Sequence, residues 1–468
     1  MTPDDLSIAL PLLILAIGAI LTLLNGAITR NQTAGTILAT LAAISAGLWA
    51  MKVPAVVSAP SLGLAAGGLT RLFTVFFSFM TAAVLVLSGR YNAYRGIKGE
   101  EYPATLLFTA FGMVALASAT NLLIIFLGLE TMTFGFYLLA AIDRGRPVSS
   151  EAGLKYLLMG VVSAAFLAFG ISLLYCVAGS LDLGEAVRLT LGSAVDPVAL
   201  AGWACVLIGI FFKLSLVPAH LWTPDVYQAA PAPVVAFLSG GSKGAAILLL
   251  ILLWTNAAGL AGLRVPLFVM ALLSMLVGNL AALRQNDIRR MLAYSSIAQM
   301  GYVVVALIAF QGGGLRAAAF YAIAYGIMSL AAFGAIGVLE GSGCGQTLDD
   351  YRGRGFTHPV AGGVLAVAMF ALAGIPPTAG FTGKFLIFAS AIRAGEYALA
   401  IIGILTAAVS IYYYLRVVTA LYLQQAAGEE RENIGVLATS ILGLSAAFII
   451  LLGLFPAQLL NFLKTQLP

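Results

Sequence analysis

Apolar residues form long runs along the whole chain, and most runs approach the roughly 20 residues that cross a bilayer as a helix. Residues 6–24 and 401–423 are two examples. A membrane strand would instead alternate apolar and polar side chains. The pattern predicts an all-α polytopic membrane protein with about 14 transmembrane helices. The predicted helices lie near residues 6–24, 33–51, 68–88, 103–119, 121–142, 153–178, 197–229, 232–254, 264–283, 289–310, 316–339, 360–394, 397–423 and 434–457.

Two of these helices, the seventh and the twelfth, are interrupted by proline. Residues 211–243 read FFKLSLVPAHLWTPDVYQAAPAPVVAFLSGGSK, and residues 374–385 read GIPPTAGFTGKF. A proline break is tolerated in a membrane helix only where polar groups or water satisfy the freed backbone. The two breaks are an odd number of spans apart, so two five-helix units that carry them would insert in opposite orientations. The spacing therefore predicts two inverted five-helix repeats, each with a proline-broken helix.

The predicted repeats divide the chain into four parts. Residues 1–102 form an N-terminal three-helix segment, and residues 103–254 form the first inverted repeat with helices 4 to 8. Residues 264–423 form the second inverted repeat with helices 9 to 13, and residues 434–468 form a C-terminal helix.

Composition supports the membrane class and argues against metal or nucleic-acid binding. The chain is 61% hydrophobic and only 9% charged, with a mean hydropathy of +1.02. Neither the three cysteines nor the two histidines form a pair at metal-ligand spacing, so we expect no zinc, haem or iron–sulfur site and no bound cofactor. The net charge of +5 is attributed to membrane topology.

An even number of spans places both termini on one side of the membrane. Loops on the opposite side hold thirteen basic residues, among them Arg289 and Arg290, against seven on the terminal side. Because basic residues concentrate in cytoplasmic loops, both termini are expected on the outer, periplasmic side. The N-terminus, MTPDDLSIAL, lacks the basic region of a cleaved signal peptide, so the first apolar run is predicted to be a retained helix.

The remaining four basic residues are lysines at lipid depth: Lys155, Lys213, Lys243 and Lys384. A charge at the bilayer centre costs roughly 3 kcal/mol, so such residues usually have a partner or a function. Lysine can lose its proton when desolvated, whereas arginine effectively cannot. These lysines indicate a proton path, with Glu130, the only acidic residue expected well inside a span, as the partner of Lys213. Alternatively, the lysines satisfy open carbonyls at the breaks, Glu130 caps a neighbouring helix and Lys155 snorkels to the surface.

Four other polar residues lie near the breaks or in helix 10. His220 can carry a proton near neutral pH, or it caps carbonyls at the break. Asp225 is interpreted as an N-cap of the second half of the broken helix. Tyr294 and Gln299 are expected on the interior face of helix 10, where they could hold water.

Five segments resemble the antiporter-like subunit N family of bacterial respiratory complex I, NADH-quinone oxidoreductase, which is similar to mitochondrial subunit 2. They are FKLSLVPAHLWTPDVYQAAPAPVVAFLS, LGLETMTFGFYLLAA, EAGLKYLLMG, RQNDIRRMLAYSSIAQMGY and GIPPTAGFTGKF. The resemblance extends over essentially the whole chain. A lysine at position 384, and a chain that ends soon after helix 14, are more similar to subunit N than to subunits M or L.

The resemblance implies fourteen helices in two inverted repeats and a role for each lysine. Glu130 and Lys213 would form the ion pair of the first half-channel, Lys243 would relay at the centre, and Lys384 would lie in the second half-channel. His220 and Lys155 match polar positions of the family. Gln299 stands where some relatives have histidine, which favours a water-holding amide there.

The sequence therefore predicts a proton-translocating membrane-arm subunit of complex I, in a bacterial inner membrane. FMN, iron–sulfur clusters, NADH and quinone are expected in partner subunits, and this chain is expected to have no redox or metal site of its own. Its expected partners are the lipid bilayer and the other membrane and peripheral subunits, including neighbouring antiporter-like subunits, and no nucleic acid. Two alternatives stay open: a subunit of a redox-independent multisubunit cation/proton antiporter, and a structural spacer that transmits motion without conducting.

Overall fold

The computed structural model describes residues 3–29, 31–53, 57–191, 196–257, 263–423 and 435–468. Its helices are α1 (Pro3–Thr29), α2 (Gln32–Ala50), α3 (Gly68–Arg95), α4 (Glu101–Ser118), α5 (Leu122–Ala140), α6 (Pro147–Ala178), α7 (Leu183–Thr190), α8 (Pro197–Leu214), α9 (Trp222–Ala229), α10 (Ala232–Phe237), α11 (Lys243–Ala257), α12 (Arg264–Leu283), α13 (Ile288–Ile308), α14 (Gly314–Glu340), α15 (Arg354–Thr357), α16 (Pro359–Ala373), α17 (Ala379–Arg393), α18 (Tyr397–Leu423), α19 (Val436–Leu454) and α20 (Ala457–Gln466).

The predicted all-α membrane architecture is confirmed. In the described ranges, 12 helical segments are long and apolar enough to cross a membrane. The helix α4 and the broken pair α16 and α17 fall outside that criterion and correspond to the fourth and twelfth predicted helices. The predicted count of about fourteen therefore agrees with the helices present.

Two short strands, β1 (Val57–Ala59) and β2 (Leu64–Ala66), are an addition that the apolar pattern did not predict. They pair antiparallel, with Ser58 opposite Ala65. Gly63 ends the connecting turn with a φ of 63°, a left-handed conformation that glycine adopts without a steric penalty. Three residues per strand are too few for the alternation of side chains to stand out in the sequence.

Both predicted helix breaks are present, and they have the same local form. Helix α8 ends at Leu214 and α9 begins at Trp222, while α16 ends at Ala373 and α17 begins at Ala379. The residue that leaves the first half-helix has a positive φ in each case, 61° at Ser215 and 86° at Gly374. Each break also contains one cis peptide bond before proline.

The predicted helix at residues 232–254 is one span that contains a wider turn. Helix α10 continues through a π-helical segment, Leu238–Ser242, into α11. A π turn inserts one extra residue per turn and rotates the side chains that follow it. Lys243 is the first residue after this segment, so its direction depends on it.

Several helix ends differ from the prediction. Helix α3 continues to Arg95, beyond the expected end at residue 88, and α6 begins at Pro147, where proline suits the first helical turn. The fourteenth helix was predicted at residues 434–457. Residue 434 lies outside the described residues, and the helix divides at Pro456 into α19 and α20. The short helices α7 and α15 were not predicted.

The described residues form two compact units. The first comprises Met1–Leu85, Lys98–Lys213 and Leu248–Leu260. The second comprises Val86–Ile97, Leu214–Ile247 and Ala261–Pro468.

One packing arrangement occurs in each unit, 166 positions apart. A Cβ added at Gly112 of α4 would clash with the backbone of Met132 in α5, and one added at Gly278 of α12 would clash with Ala298 in α13. The differences 278 − 112 and 298 − 132 are both 166. Glycine therefore allows the same close helix contact in both pairs.

The starts of α5 and α13 repeat in the same way. Asn121 caps α5 by accepting from the Ile124 N–H (2.8 Å), and Asp287 caps α13 by accepting from the Arg290 N–H (2.9 Å). These caps satisfy backbone donors that a helix start leaves open. Each cap residue also forms an antiparallel bridge, with Asp182 in the first unit and with Thr347 in the second. The cap positions 121 and 287 again differ by 166.

Candidate functional site

The first unit places Lys213 beside Glu130, as the sequence predicted for this pair. Lys213 lies at the C-terminal end of α8, and its Nζ is 3.4 Å from Oε1 of Glu130 in α5. The lysine side chain is fully buried, whereas the glutamate side chain is 24% exposed. A buried ammonium without a counter-charge is strongly disfavoured, so this carboxylate is what makes the position tolerable for a charged lysine.

Glu130 also faces an open cavity of about 420 Å³ between α4 and α5. Thr105, Phe108, Thr131 and Phe134 are among the residues that line it. The carboxylate is therefore the member of the pair that a group outside this chain can reach. The pair has one sealed member and one accessible member.

In the second unit, Lys243 is fully buried and hydrogen-bonded to a hydroxyl. Its Nζ donates to Ser296 Oγ of α13 over 2.5 Å, and it lies 5.6 Å from the centre of the Tyr227 ring. Tyr325 of α14 donates to the same serine oxygen over 2.6 Å. Within the described residues Lys243 makes no salt bridge, and its partners are neutral groups and an aromatic face.

Lys384 lies on α17 and is bound to the end of the other half of its broken helix. Its Nζ donates to the carbonyls of Leu372 (2.6 Å) and Ala373 (3.2 Å), the last residues of α16. Helix ends leave four carbonyls without intrahelical partners, and here the lysine supplies the donor. Its Nζ also lies 5.4 Å from the centre of the Tyr302 ring.

Gln299 joins this second group. Its Nε2 donates to the Leu372 carbonyl (3.2 Å) and to Tyr414 Oη (3.1 Å), and its Oε1 accepts from Tyr321 Oη (2.5 Å). Ser295 forms a further hydrogen bond with Tyr414. The amide thus shares the Leu372 oxygen with Lys384, in a buried polar cluster inside an apolar helix bundle.

Three other predicted site residues lie apart from these groups. Lys155 is on the exposed face of α6 and pairs with Glu151 over 2.7 Å. Tyr294 is half-buried, with the Arg290 guanidinium 5.9 Å from its ring centre. His220 is half-buried in the break between α8 and α9, and its ring takes no part in the hydrogen bonds of the buried lysines of the second unit.

The predicted N-cap role of Asp225 is wrong. The residue before α9 is Leu221, and Asp225 lies in the first turn of the helix. Its Oδ1 instead accepts from Nη1 of Arg290 over 2.8 Å. The nearby arginine offers a charged donor, which a carboxylate prefers to a backbone N–H.

A buried ion pair at the start of α13 was missed. Arg289 was counted among the loop cations, yet it is fully buried and donates to both carboxylate oxygens of Glu340, at 3.2 and 3.1 Å. It also donates to the carbonyls of Tyr227 and Ala230 at the end of α9. Glu340, at the end of α14, is a fully buried acidic residue, whereas the predicted Glu130 is partly exposed.

The hydroxyl groups of α14 were also missed, although the sequence contains a signal for them. Tyr321, Tyr325 and Ser329 follow each other at four-residue intervals, and the other residues between positions 317 and 339 are apolar or glycine. Side chains four apart lie on one helical face. Such a polar stripe in a membrane helix indicates an interior face.

Among the described residues, no group of three or more histidine, cysteine, aspartate or glutamate side chains is placed to hold a metal ion. The polar side chains described above are amines, carboxylates and hydroxyls, which can bind and release protons.

Known proteins resemble this chain over its full length. Residues 119–410 match the family model for "NADH:quinone oxidoreductase/Mrp antiporter, TM". A protein of Geotalea uraniireducens named NADH-quinone oxidoreductase subunit N is 53% identical over 469 residues, with 100% of both chains covered. A chain in a structure of respiratory complex I from Thermus thermophilus with bound aureothin is 31% identical, with a TM-score of 0.83 and coverage of 96% of this chain and 98% of that one.

A third likeness concerns the fold alone. A chain in the Mrp complex from a Dietzia species superposes with a TM-score of 0.85 at 22% identity, and the match covers 99% of this chain and 97% of that one. The helical arrangement is thus shared by protein complexes of different kinds.

Proposed function

The chain belongs to the NADH:quinone oxidoreductase/Mrp antiporter membrane family as a proton-translocating membrane-arm subunit of the subunit N type, and we propose which of its residues carry the protons. The proposed carriers are Glu130, Lys213, Lys243 and Lys384. The observation that carries this proposal is the burial of three amines in a chain in which 17 of the other 21 lysine and arginine residues are arginine.

The first half-channel is assigned to Glu130 and Lys213. Their ion pair holds one proton on a sealed amine, and the carboxylate is the member that faces an open cavity. When the carboxylate moves toward that cavity, the buried ammonium loses its counter-charge and becomes unstable. Opening and closing of the pair would therefore release and reload a proton.

The second half-channel is assigned to Lys384, with Lys243 as the relay before it. Both amines are held by neutral oxygens. Neutral acceptors stabilise an ammonium less than a carboxylate does, so each amine can exist with or without its extra proton. Gln299 would hold water beside Lys384. His220, Lys155 and Tyr294 are given no part in transfer.

Electron transfer is assigned to partner subunits of the complex. FMN, iron–sulfur clusters, NADH and quinone are proposed to bind there, and the other membrane and peripheral subunits, including antiporter-like neighbours, are the proposed partners. Moving one charge against 100 mV costs about 2.3 kcal/mol. That energy would reach the Glu130 and Lys213 pair through conformational or electrostatic coupling.

The proposed setting is a bacterial inner membrane, with both termini on the periplasmic side because basic loops favour the cytoplasm. The repeated features of the α4–α5 and α12–α13 pairs support two structural repeats at residues 103–254 and 264–423. We propose that these repeats have opposite orientations in the membrane.

The redox-independent antiporter is the less supported alternative. The likeness to the Mrp complex concerns the fold alone, whereas the full-length relatives at 53% identity are named subunit N of NADH-quinone oxidoreductase. The spacer alternative predicts that the buried amines are dispensable for pumping.

The decisive experiment removes single amines in the assembled complex. Lys213→Ala and Lys384→Ala are introduced, and quinone-coupled proton pumping is measured in membrane vesicles alongside assembly on native gels. Lys464→Ala, at an exposed position of α20, is the matched control. We expect loss of pumping in the first two variants and normal pumping in the control. Normal pumping and assembly in all three would favour the spacer.

A further inference from the structure

A chain of hydroxyl groups leads away from Lys243. Beyond Ser296 and Tyr325, Ser239 Oγ lies 2.8 Å from Tyr325 Oη and 3.1 Å from Ser329 Oγ. All four hydroxyl residues and the lysine are buried. The hydrogen-bonded groups follow each other in the order Lys243, Ser296, Tyr325, Ser239 and Ser329.

The position of Ser296 corresponds to that of Glu130. The 166-residue displacement that relates Gly112 to Gly278, and the cap of α5 to the cap of α13, also relates position 130 to position 296. The first unit therefore sets a carboxylate beside its buried lysine, and the second unit sets a hydroxyl at the matching place.

The three buried lysines differ in whether their hydrogen-bond partner can exchange a proton with them. The partner of Lys213 is a carboxylate, which holds the ammonium by charge. The partners of Lys384 are backbone carbonyls, which accept hydrogen bonds and have no proton to pass on. The partner of Lys243 is a hydroxyl, which can accept one proton while it donates its own.

We propose that Ser296 is the direct proton-exchange partner of Lys243, and that Ser296, Tyr325, Ser239 and Ser329 form a relay from that amine. The proposal rests on the proton-carrying role given to Lys243 above. It adds residues for which the sequence analysis assigned no function.

The proton balance of the relay is as follows. The hydroxyls first rotate so that Ser296 donates to Tyr325, Tyr325 to Ser239 and Ser239 to Ser329. An N–H bond of the Lys243 ammonium then breaks as an O–H bond forms at Ser296, and each hydroxyl passes its own proton to the next oxygen. The amine becomes neutral, Ser329 passes its own proton to a water molecule as the acceptor of the relay, and rotation of the hydroxyls restores the starting pattern.

The test removes single oxygen atoms in the assembled complex. Ser296→Ala and Tyr325→Phe each delete one hydroxyl and keep the rest of the side chain. We expect proton pumping to fall about tenfold or more in both, because Ser296→Ala removes the oxygen that binds the ammonium and Tyr325→Phe removes the next oxygen of the relay. Ser296→Thr keeps the hydroxyl and is expected to retain most of the pumping.

Matched controls separate the relay from packing. Ser390→Ala removes a buried hydroxyl that bonds only the Ile387 carbonyl of its own helix in the described contacts, and Tyr351→Phe removes a buried phenol outside the relay. Both controls are expected to pump normally. If Ser296→Thr is as defective as Ser296→Ala, or if the controls fail equally, the effect is one of packing and the relay is rejected.

A parallel Lys243→Ala variant keeps the two proposals distinguishable. Loss of pumping in Lys243→Ala with normal pumping in Ser296→Ala overturns the relay and leaves the lysine's role intact. Normal pumping in Lys243→Ala overturns the role of the lysine, and the relay with it. Loss in both, with function kept by Ser296→Thr, supports the relay.

Discussion

Replacing Glu130 with glutamine removes the charge that faces the buried Lys213 ammonium and leaves the size of the side chain unchanged. At the observed 3.4 Å separation, the attraction is about 5 kcal/mol for an effective dielectric constant near 20. The carboxylate is partly exposed, so we take about 3–5 kcal/mol as the loss. This exceeds the roughly 2.3 kcal/mol needed to move a charge against 100 mV. Pumping should therefore fall by at least about tenfold.

The chain offers a matched control in Glu151→Gln. Glu151 also pairs with a lysine, Lys155, and at 2.7 Å its contact is shorter than that of Glu130. Both members are exposed, by 62% and 48% of their side chains. Exposed helix pairs of this spacing contribute only about 0.3–0.5 kcal/mol. We expect pumping in Glu151→Gln to be normal, because burial and not distance decides the effect.

The assay compares the two variants in inverted membrane vesicles that contain equal amounts of assembled complex. NADH-driven acidification and NADH oxidation are recorded together, so that slow electron transfer and lost coupling can be told apart. The reasoning is refuted if Glu130→Gln pumps like Glu151→Gln while assembly is normal in both. Equal losses in the two variants would refute it as well, since burial would then have no effect.

Lys384→Arg should not replace lysine in proton pumping, because arginine holds its proton too tightly to release it; full pumping in this variant would contradict a titrating amine at that position. Glu340→Gln should destabilise the complex by about 3–5 kcal/mol, because the buried Arg289 guanidinium loses the carboxylate that balances its charge. Thermal unfolding of the purified complex measures this loss of stability. Replacing Glu340 by leucine and Arg289 by methionine in one double variant should lower the stability less than Glu340→Gln does. Burial raises the pKa of the Cys344 thiol to about 12, so little of it is thiolate at pH 8. Maleimide should therefore label Cys344 only after the complex unfolds, and labelling is read by mass spectrometry. Fast labelling of Cys344 in the folded complex would contradict this.

The breaks and the lysines could be predicted from local chemistry. Proline at positions 218 and 377 removes a backbone donor wherever it stands in a helix, and both breaks are present. The pairing of Lys213 with Glu130 followed from the scarcity of charge in the spans, and the two residues are in contact although 83 positions separate them. Few buried charges leave few possible partners.

The predictions failed where a partner depended on which helices pack together. Asp225 was taken for a cap because arginine at position 290 is 65 residues away in the chain and gave no local signal. Arg289 was counted with the loop cations because it lies at the start of the predicted helix 289–310, yet α9 and α14 surround it with acceptors. Tyr294 lies on a partly exposed face, while Gln299 five residues later is enclosed.

The sequence by itself determined the membrane class, the approximate number of spans, the two breaks and the identity of the buried amines. The physical reason is that span length and the cost of charge in lipid are properties of single residues and short segments. Only the tertiary structure decided what each amine contacts: a carboxylate at Lys213, a hydroxyl at Lys243 and open carbonyls at Lys384. Serine and tyrosine hydroxyls are common in helices and often bond their own backbone, so their role in a polar chain is visible only when α11, α13 and α14 are packed together.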